Sequence, residues 1–213
     1  MIAHALSIVV NELNLHLQQA YNQKLPAVEL GNIAEGFRVG ATGSGVSQDV
    51  LSMSLVNIQE EKTLKNTSSL VRDIPHKKAT YENPAVFLNL HILIVAAHSN
   101  YTNALLMLSR AIQFFQVRNS FTESSVAPAS ITTNAPPNAL DRLVAFKLIF
   151  DLHSPGLEEV NHLWGTLGGK QYPFVLYIVR MLELRFHRVQ DAVLIKEGEI
   201  TYTQLAPSPD AEP

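Results

Sequence analysis

The stretch from Val86 to Ala97 constrains this chain most. Val86, Leu88, Leu90, Ile92, Ile94 and Ala96 hold one face through six alternations. Period-two apolar spacing marks a strand with a buried face. The opposite face begins polar with Asn89 and His91 and turns apolar with Leu93, Val95 and Ala97. Such a strand is central in its sheet and covered on both sides over its second half. As a helix the stretch is too short to span a bilayer, which needs about 20 apolar residues.

The flanking segments supply the layers. Ile2, Leu6, Val9, Leu13, Leu17 and Ala20 recur at helical spacing with Asn11, Asn14 and Gln18 opposite, which predicts one amphipathic helix over 2–21, stopped before Pro26. Val28 to Ala34 is a strand candidate, and the four glycines of 36–45 make a flexible loop or hairpin tip. Residues 50–62 read as a strand whose apolar phase slips: Leu51, Met53 and Leu55 share a face, then Val56 and Ile58 take over. A one-residue slip inverts every side chain, so a bulge is expected near Leu55. Glu60 to Asn83 is polar and reads as an exposed loop or outward hairpin.

After the central strand, Ser99 or Asn100 caps a helix that turns Ala104, Leu105, Leu108, Ile112 and Phe115 inward. Residues 124–138, rich in Ser, Thr, Ala and Pro, read as a loop. Val144, Phe146, Leu148, Phe150 and Leu152 alternate as a strand. Ser154 as N-cap, Pro155 in the first turn and Gly165 as C-cap delimit a short helix over 155–164, with Leu157, Val160 and Leu163 or Trp164 as its apolar side. Phe174 to Phe186 fits a strand and, almost as well, a helix; Val175, Ile178 and Val179 favour strand. A strand candidate at Ile200–Thr203 precedes a Pro-rich acidic end expected to be loose in the free subunit. The resulting class is α+β: a mixed, largely antiparallel sheet flanked by an N-terminal, a central and a short C-terminal helix. Residues 1–189 make one domain and 190–213 an extended arm.

Composition narrows the function. The net charge of -3 gives no reason to expect nucleic-acid binding, and the absence of cysteine removes thiolate chemistry and Cys-type zinc sites. Only 16% of residues are charged, which hints at surface buried between subunits. The N-terminus lacks a basic n-region, so it reads as no signal peptide, and the chain is expected to fold in the cytoplasm.

No motif supports catalysis. Gly165 to Gln171 invites comparison with a P-loop, but Trp164 stands where its first Gly belongs and Gln171 where Ser or Thr would reach magnesium. The histidines lack metal-ligand spacing; His91 and His98, seven apart on a strand, would point to opposite faces. Gly43-Ser44-Gly45 is no nucleophile elbow, and Glu60-Glu61 and Glu158-Glu159 diverge as adjacent residues. The expectation is a non-enzyme with no cofactor. Arg180, Arg185 and Arg188 form a basic platform ahead of the acidic arm, a pattern suited to docking.

Three blocks carry a family resemblance: Met1 to Leu17; Asn83 to Leu93 with Tyr101 to Leu105; and Leu157-Glu158-Glu159-Val160-Asn161-His162-Leu163-Trp164-Gly165-Thr166-Leu167-Gly168-Gly169-Lys170 before Tyr172-Pro173. Together they resemble the cap, or tail-terminator, proteins of phage-tail-like contractile injection systems of the antifeeding-prophage and virulence-cassette type, over about residues 1–187. The resemblance implies a tail-terminator-like fold. It implies a homohexameric ring at the baseplate-distal end that ends inner-tube and sheath growth, with sheath and tube proteins as partners and neither nucleic acid nor membrane. It implies assembly in the cytoplasm into a particle that can be released. On that reading Leu163, Trp164, Gly165, Leu167, Lys170, Arg180, Arg185, Ile200 and Tyr202 are the candidate interface residues, and the arm from Gln190 engages the last sheath ring by strand addition. The competing reading is a small metal- or ligand-dependent enzyme using the His153–His162 region.

Overall fold

The computed structural model describes residues 1–24, 26–38, 45–62, 70–73, 78–81, 86–184 and 192–194. Its helices are α1 (Ile2–Tyr21), α2 (Tyr101–Val117), α3 (Pro128–Thr132) and α4 (Leu157–Thr166). Its strands are β1 (Val28–Leu30), β2 (Leu51–Glu60), β3 (Leu70–Asp73), β4 (Lys78–Tyr81), β5 (Val86–Ala96), β6 (Ser120–Thr122), β7 (Lys147–His153), β8 (Phe174–Leu184) and β9 (Ala192–Leu194). The class is α+β, as expected. The chain divides into two compact units, one of Met1–Lys65 with Ala85–Leu184 and the other drawn from Asn66–Pro84 and Arg185–Pro213.

The first unit is a six-stranded sheet in the order β1-β2-β5-β8-β7-β6, antiparallel throughout except for β1 beside β2. The alternating strand β5 is interior, and its two faces feed two cores. Leu90, Ile92, Ile94 and Ala96 pack with α1, α2 and Val175, Tyr177 and Val179 of β8. Leu93, Val95 and Ala97 pack on the other side with Ile33, Val46, Trp164 and Leu176. The polar first half of that second face, with His91, is only half-buried. The phase slip in β2 is a register shift between Leu55 and Asn57, where the bulge was expected.

A second irregularity explains the ambiguity of the last apolar run. Leu88 pairs with Leu182 but Leu90 with Val179, so β8 carries an extra residue. Val179 and Leu182 therefore both face the main core, 0% and 1% exposed, although three apart. A bulged strand imitates helical spacing at that point.

Helix α1 is largely buried up to Leu17, and several of its polar residues are fasteners. His4 accepts from the Leu143 N–H at Nδ1 (2.8 Å), so Nε2 carries the proton and donates to Ile131 O (2.9 Å). Asn11 donates to Ser130 O and Thr133 O. Glu12, 4% exposed, accepts from Arg118 and from the Ala127 N–H. Asn14 Oδ1 accepts from the N–H groups of Ala27 and Val28 (both 2.9 Å), and its Nδ2 donates to Val28 O (2.8 Å). The helix ends where Asn22 takes a left-handed conformation, φ 50°.

Several expectations need correction. Leu105 points outward on α2, 42% exposed, while Met107, Ala111 and Phe114 join Ala104, Leu108 and Phe115 in the core, because the buried stripe widens on the side away from Leu105. The strand expected from Val144 starts at Lys147, and Val144 is 86% exposed. The loop of 124–138 contains α3, whose Ser130 is buried, and the short β6 precedes it. The expected strand over 28–34 stops at Leu30, and Ile33–Glu35 is a 3-10 turn capped by Asn32. His98 lies beyond the end of β5, so strand alternation does not govern it; it pairs with Asp49.

The second unit is a three-stranded antiparallel sheet, β3-β4-β9. Of the two readings for 60–83, exposed loop or hairpin, the structure has a hairpin of β3 with β4. Strand β9, not read from the sequence, pairs Ala192–Leu194 with Lys78–Thr80. Arg185, Ile200 and Tyr202 lie outside the described residues, as does the arm apart from Ala192–Leu194.

Candidate interaction surface

The segment 154–173 is built differently from its sequence signals. Gly156, not Ser154, is the N-cap of α4, and its N–H donates to Glu159 Oε2 at 3.0 Å. Gly165 lies inside the helix, with open space where a side chain would sit. The helix ends at Thr166, with Leu167 as its C-cap. Gly168 takes φ 101° and Gly169 φ 81°, and the Gly169 N–H returns to Trp164 O at 2.8 Å. This is the 6→1 bond of a Schellman ending, which needs a left-handed residue that Gly165 does not provide. Leu157, expected on the apolar side, is 85% exposed.

Trp164 is 4% exposed, edge-on to Tyr172 and Phe174 at 6.1 and 5.4 Å between ring centres. Leu163 and Leu167 pack partly buried against the same cluster. The residues of this segment that face outward include Gly165, Lys170 and the first turn around Leu157. Helix α4 thus covers the apolar half of the second sheet face and presents its own outer side.

The half of that face beyond the reach of α4 carries charge and imidazole. Register places His91, Ile178 and Asp151 side by side on β5, β8 and β7. Arg180 Nε lies 2.7 Å from Asp151 Oδ2, both half-exposed. The rings of His91 and His153 are 6.2 Å apart. Burial, and then the nearby His153 ring, hold His91 below its ordinary value and favour neutral imidazole. Arg180, a candidate residue, is therefore ion-paired on this face, away from α4. The sequence singled out His153 with His162; the structure instead sets His153 beside His91, while His162 is exposed. The signal was present in the polar first half of the β5 alternation and in Asp151 within the β7 pattern. Among the described residues no group of three or more His, Asp or Glu is arranged to hold a metal. No helix among them is long and apolar enough to cross a membrane.

At one end of the sheet, Glu29 of β1 pairs with Arg38 at 2.7 Å and accepts the Ser47 N–H. Burial pushes its carboxyl up, but the Ser47 bonds and the Arg38 guanidinium outweigh that and leave it below the ordinary value. The folded pKa is depressed, so this contribution is present above the unfolded value of about 4.3 and is lost as pH falls through and below it. A Glu29→Gln chain is expected to show a flatter loss of melting temperature between about pH 5 and 3; parallel acid limbs would contradict the assignment.

Comparison with known proteins adds the context. No curated protein sequence matches the chain. Among solved structures it is similar to the PVC sheath/tube terminator of an extracellular contractile injection system in its extended state, at 15% identity and TM-score 0.54, covering 93% of this chain and 63% of that one. It is also similar to the tube-terminating cap of the anti-feeding prophage, at 17% identity and TM-score 0.52, covering 91% of this chain and 60% of that one. This chain therefore spans less than two thirds of the length of either. The sequence model of the Pvc16 N-terminal domain matches residues 7–196. With most of its length inside that match, the protein belongs to the Pvc16 N-terminal domain family.

Proposed function

We propose that this protein is a structural terminator of a contractile injection system: a ring of six copies that closes the baseplate-distal end and stops growth of inner tube and sheath. The observation that carries the reading is the likeness of fold to two terminators over more than nine-tenths of the chain, together with family membership. The physics agrees with the role. A head-to-tail interface that closes forms a ring, and such a ring ends a tube when its outer face offers no match to a further ring.

On this reading the exposed parts of 154–173, with Gly165 and Lys170 outermost and Leu163, Trp164 and Leu167 holding them in shape, form one contact surface. Arg180 contributes from the open half of the second sheet face. Residues 190–213, including Ile200 and Tyr202, act as a docking arm toward the sheath, with Arg185 at its root. The role asks for no catalysis and no cofactor, and places the protein in a particle put together in the cytoplasm. Removing the protein from producing cells is expected to give particles whose tubes vary widely in length, as measured by electron microscopy. Particles of uniform normal length without it would contradict the role.

A further inference from the structure

Several histidines of the chain are fully engaged. His4 uses both ring nitrogens. His98 accepts the Asn100 N–H and lies beside Asp49. His16 packs against the Tyr21 and Phe114 rings. His91 and His153 differ. Both are half-buried, and among the described residues neither ring has a hydrogen-bond or ion-pair partner. Their nitrogens are not sealed from solvent either.

Strand register brings the two rings together. His91 on β5 faces Ile178 and His153 on β7 faces Leu176, so β8 runs between them. Strands two apart stand about 9.5 Å from each other. The ring centres are only 6.2 Å apart, so the rings lean toward each other across β8. An imidazole bound through one nitrogen holds its ring centre about 3.2 Å from a zinc-sized ion. Two such rings on one ion are separated by about 5.2 Å at a tetrahedral angle and by about 6.4 Å in line. The spacing of His91 and His153 falls inside that interval. Their planes are inclined by 76°, and rotation about χ2 swings a nitrogen toward a common point while the ring centre stays nearly in place.

The surroundings suit a cation held by neutral ligands. A metal ion takes the unprotonated imidazole, and burial together with the neighbouring His153 ring already disfavours the protonated form of His91. On the same face Arg180 of β8 opposes a cation, but Asp151 of β7 matches its charge at 2.7 Å. Strand β2 places neutral Asn57 opposite His91.

We propose that His91 and His153 form a two-point site for a late transition-metal ion of the zinc, nickel or copper class, joining β5 to β7 across β8, with water completing the coordination. Imidazole favours such ions over magnesium and calcium, which take oxygen ligands. Because the fold holds both rings, the second ligand binds at high effective concentration, and the pair outweighs either ring alone. The site is independent of the terminator reading, since it needs only these three strands.

Calorimetric titration of the full chain, free of any affinity tag, with zinc tests the site. The rate at which diethyl pyrocarbonate modifies each histidine, read by peptide mass spectrometry, locates it. The tightest zinc site is expected to hold one ion per chain. Saturating zinc is expected to slow modification of both His91 and His153 at least fivefold and to leave His162 unchanged, while magnesium protects neither. Zinc binding is expected to weaken at least tenfold in His91→Gln and in His153→Gln, and His162→Gln is expected to bind like the parent. Melting curves confirm that each variant folds. Protection of only one of the two rings, or of neither, would overturn the proposal. So would zinc affinity unchanged in either variant, or one ion per two chains, which places the ligands between copies.

Discussion

Replacing Glu12 with alanine is expected to destabilise the protein by about 3 kcal/mol. Removing one partner of a buried ion pair costs about 3–5 kcal/mol, because the other charge is left uncompensated. Here Arg118 is 30% exposed, so water relieves part of that cost. The loss has further parts. The Ala127 N–H, held at 2.7 Å, loses its acceptor. Arg118 also donates to Ser125 O and lies 5.0 Å over the Phe121 ring, so its displacement loosens the turn after β6. In a chain of this length the change corresponds to a melting temperature lower by roughly 6–12 °C. Glu12→Gln keeps an acceptor for Ala127 and is expected to lose less. A drop below about 1 kcal/mol for Glu12→Ala would show that the pair is not formed in solution.

Asn14→Ala is expected to cost about 2–3 kcal/mol and to change solution behaviour as well. One side-chain amide satisfies three main-chain groups, and each that is left unpaired costs about 1–3 kcal/mol when buried, less where water can reach it. The substitution also bares the outer edge of β1, and a bared strand edge is a template for association. Chemical denaturation should report the stability loss, and light scattering a rise in concentration-dependent association. Asn14→Asp keeps the acceptor for Ala27 and Val28 and is expected to fall between. An unchanged midpoint for Asn14→Ala would remove the edge-closing role.

These two residues also show what the sequence conceals. Asn11, Asn14 and Gln18 stand opposite the apolar stripe of α1, which by periodicity alone means the solvent side. Of that stripe Leu6, Val9, Leu13 and Leu17 are buried and Ile2 partly so, while Ala20 in the last turn is exposed. Polar residues of this helix need not be exposed: Glu12 and His4 are buried with their bonds satisfied by loops more than a hundred residues away. Local spacing carries no record of such partners. Strand β5, the β2 bulge and the Asn100 cap were legible because each depends on neighbours within a few residues. Short pieces such as α3, β6 and β9 lack a full period and gain their form from what they pair with. In the 154–173 segment the glycines were recognised as a helix ending, but which glycine takes the left-handed position depends on the length of α4, and Gly168 holds it instead of Gly165. The imidazole pair of His91 and His153 needed the strand order β5-β8-β7, which no spacing contains.

The central claim concerns assembly, and the mass of the particle in solution tests it most directly. Size-exclusion chromatography with light scattering on the full chain, followed by negative-stain imaging, is expected to give six copies of the 23.6 kDa chain in a closed ring. A compact monomer that persists at micromolar concentration and shows no ring would contradict the account.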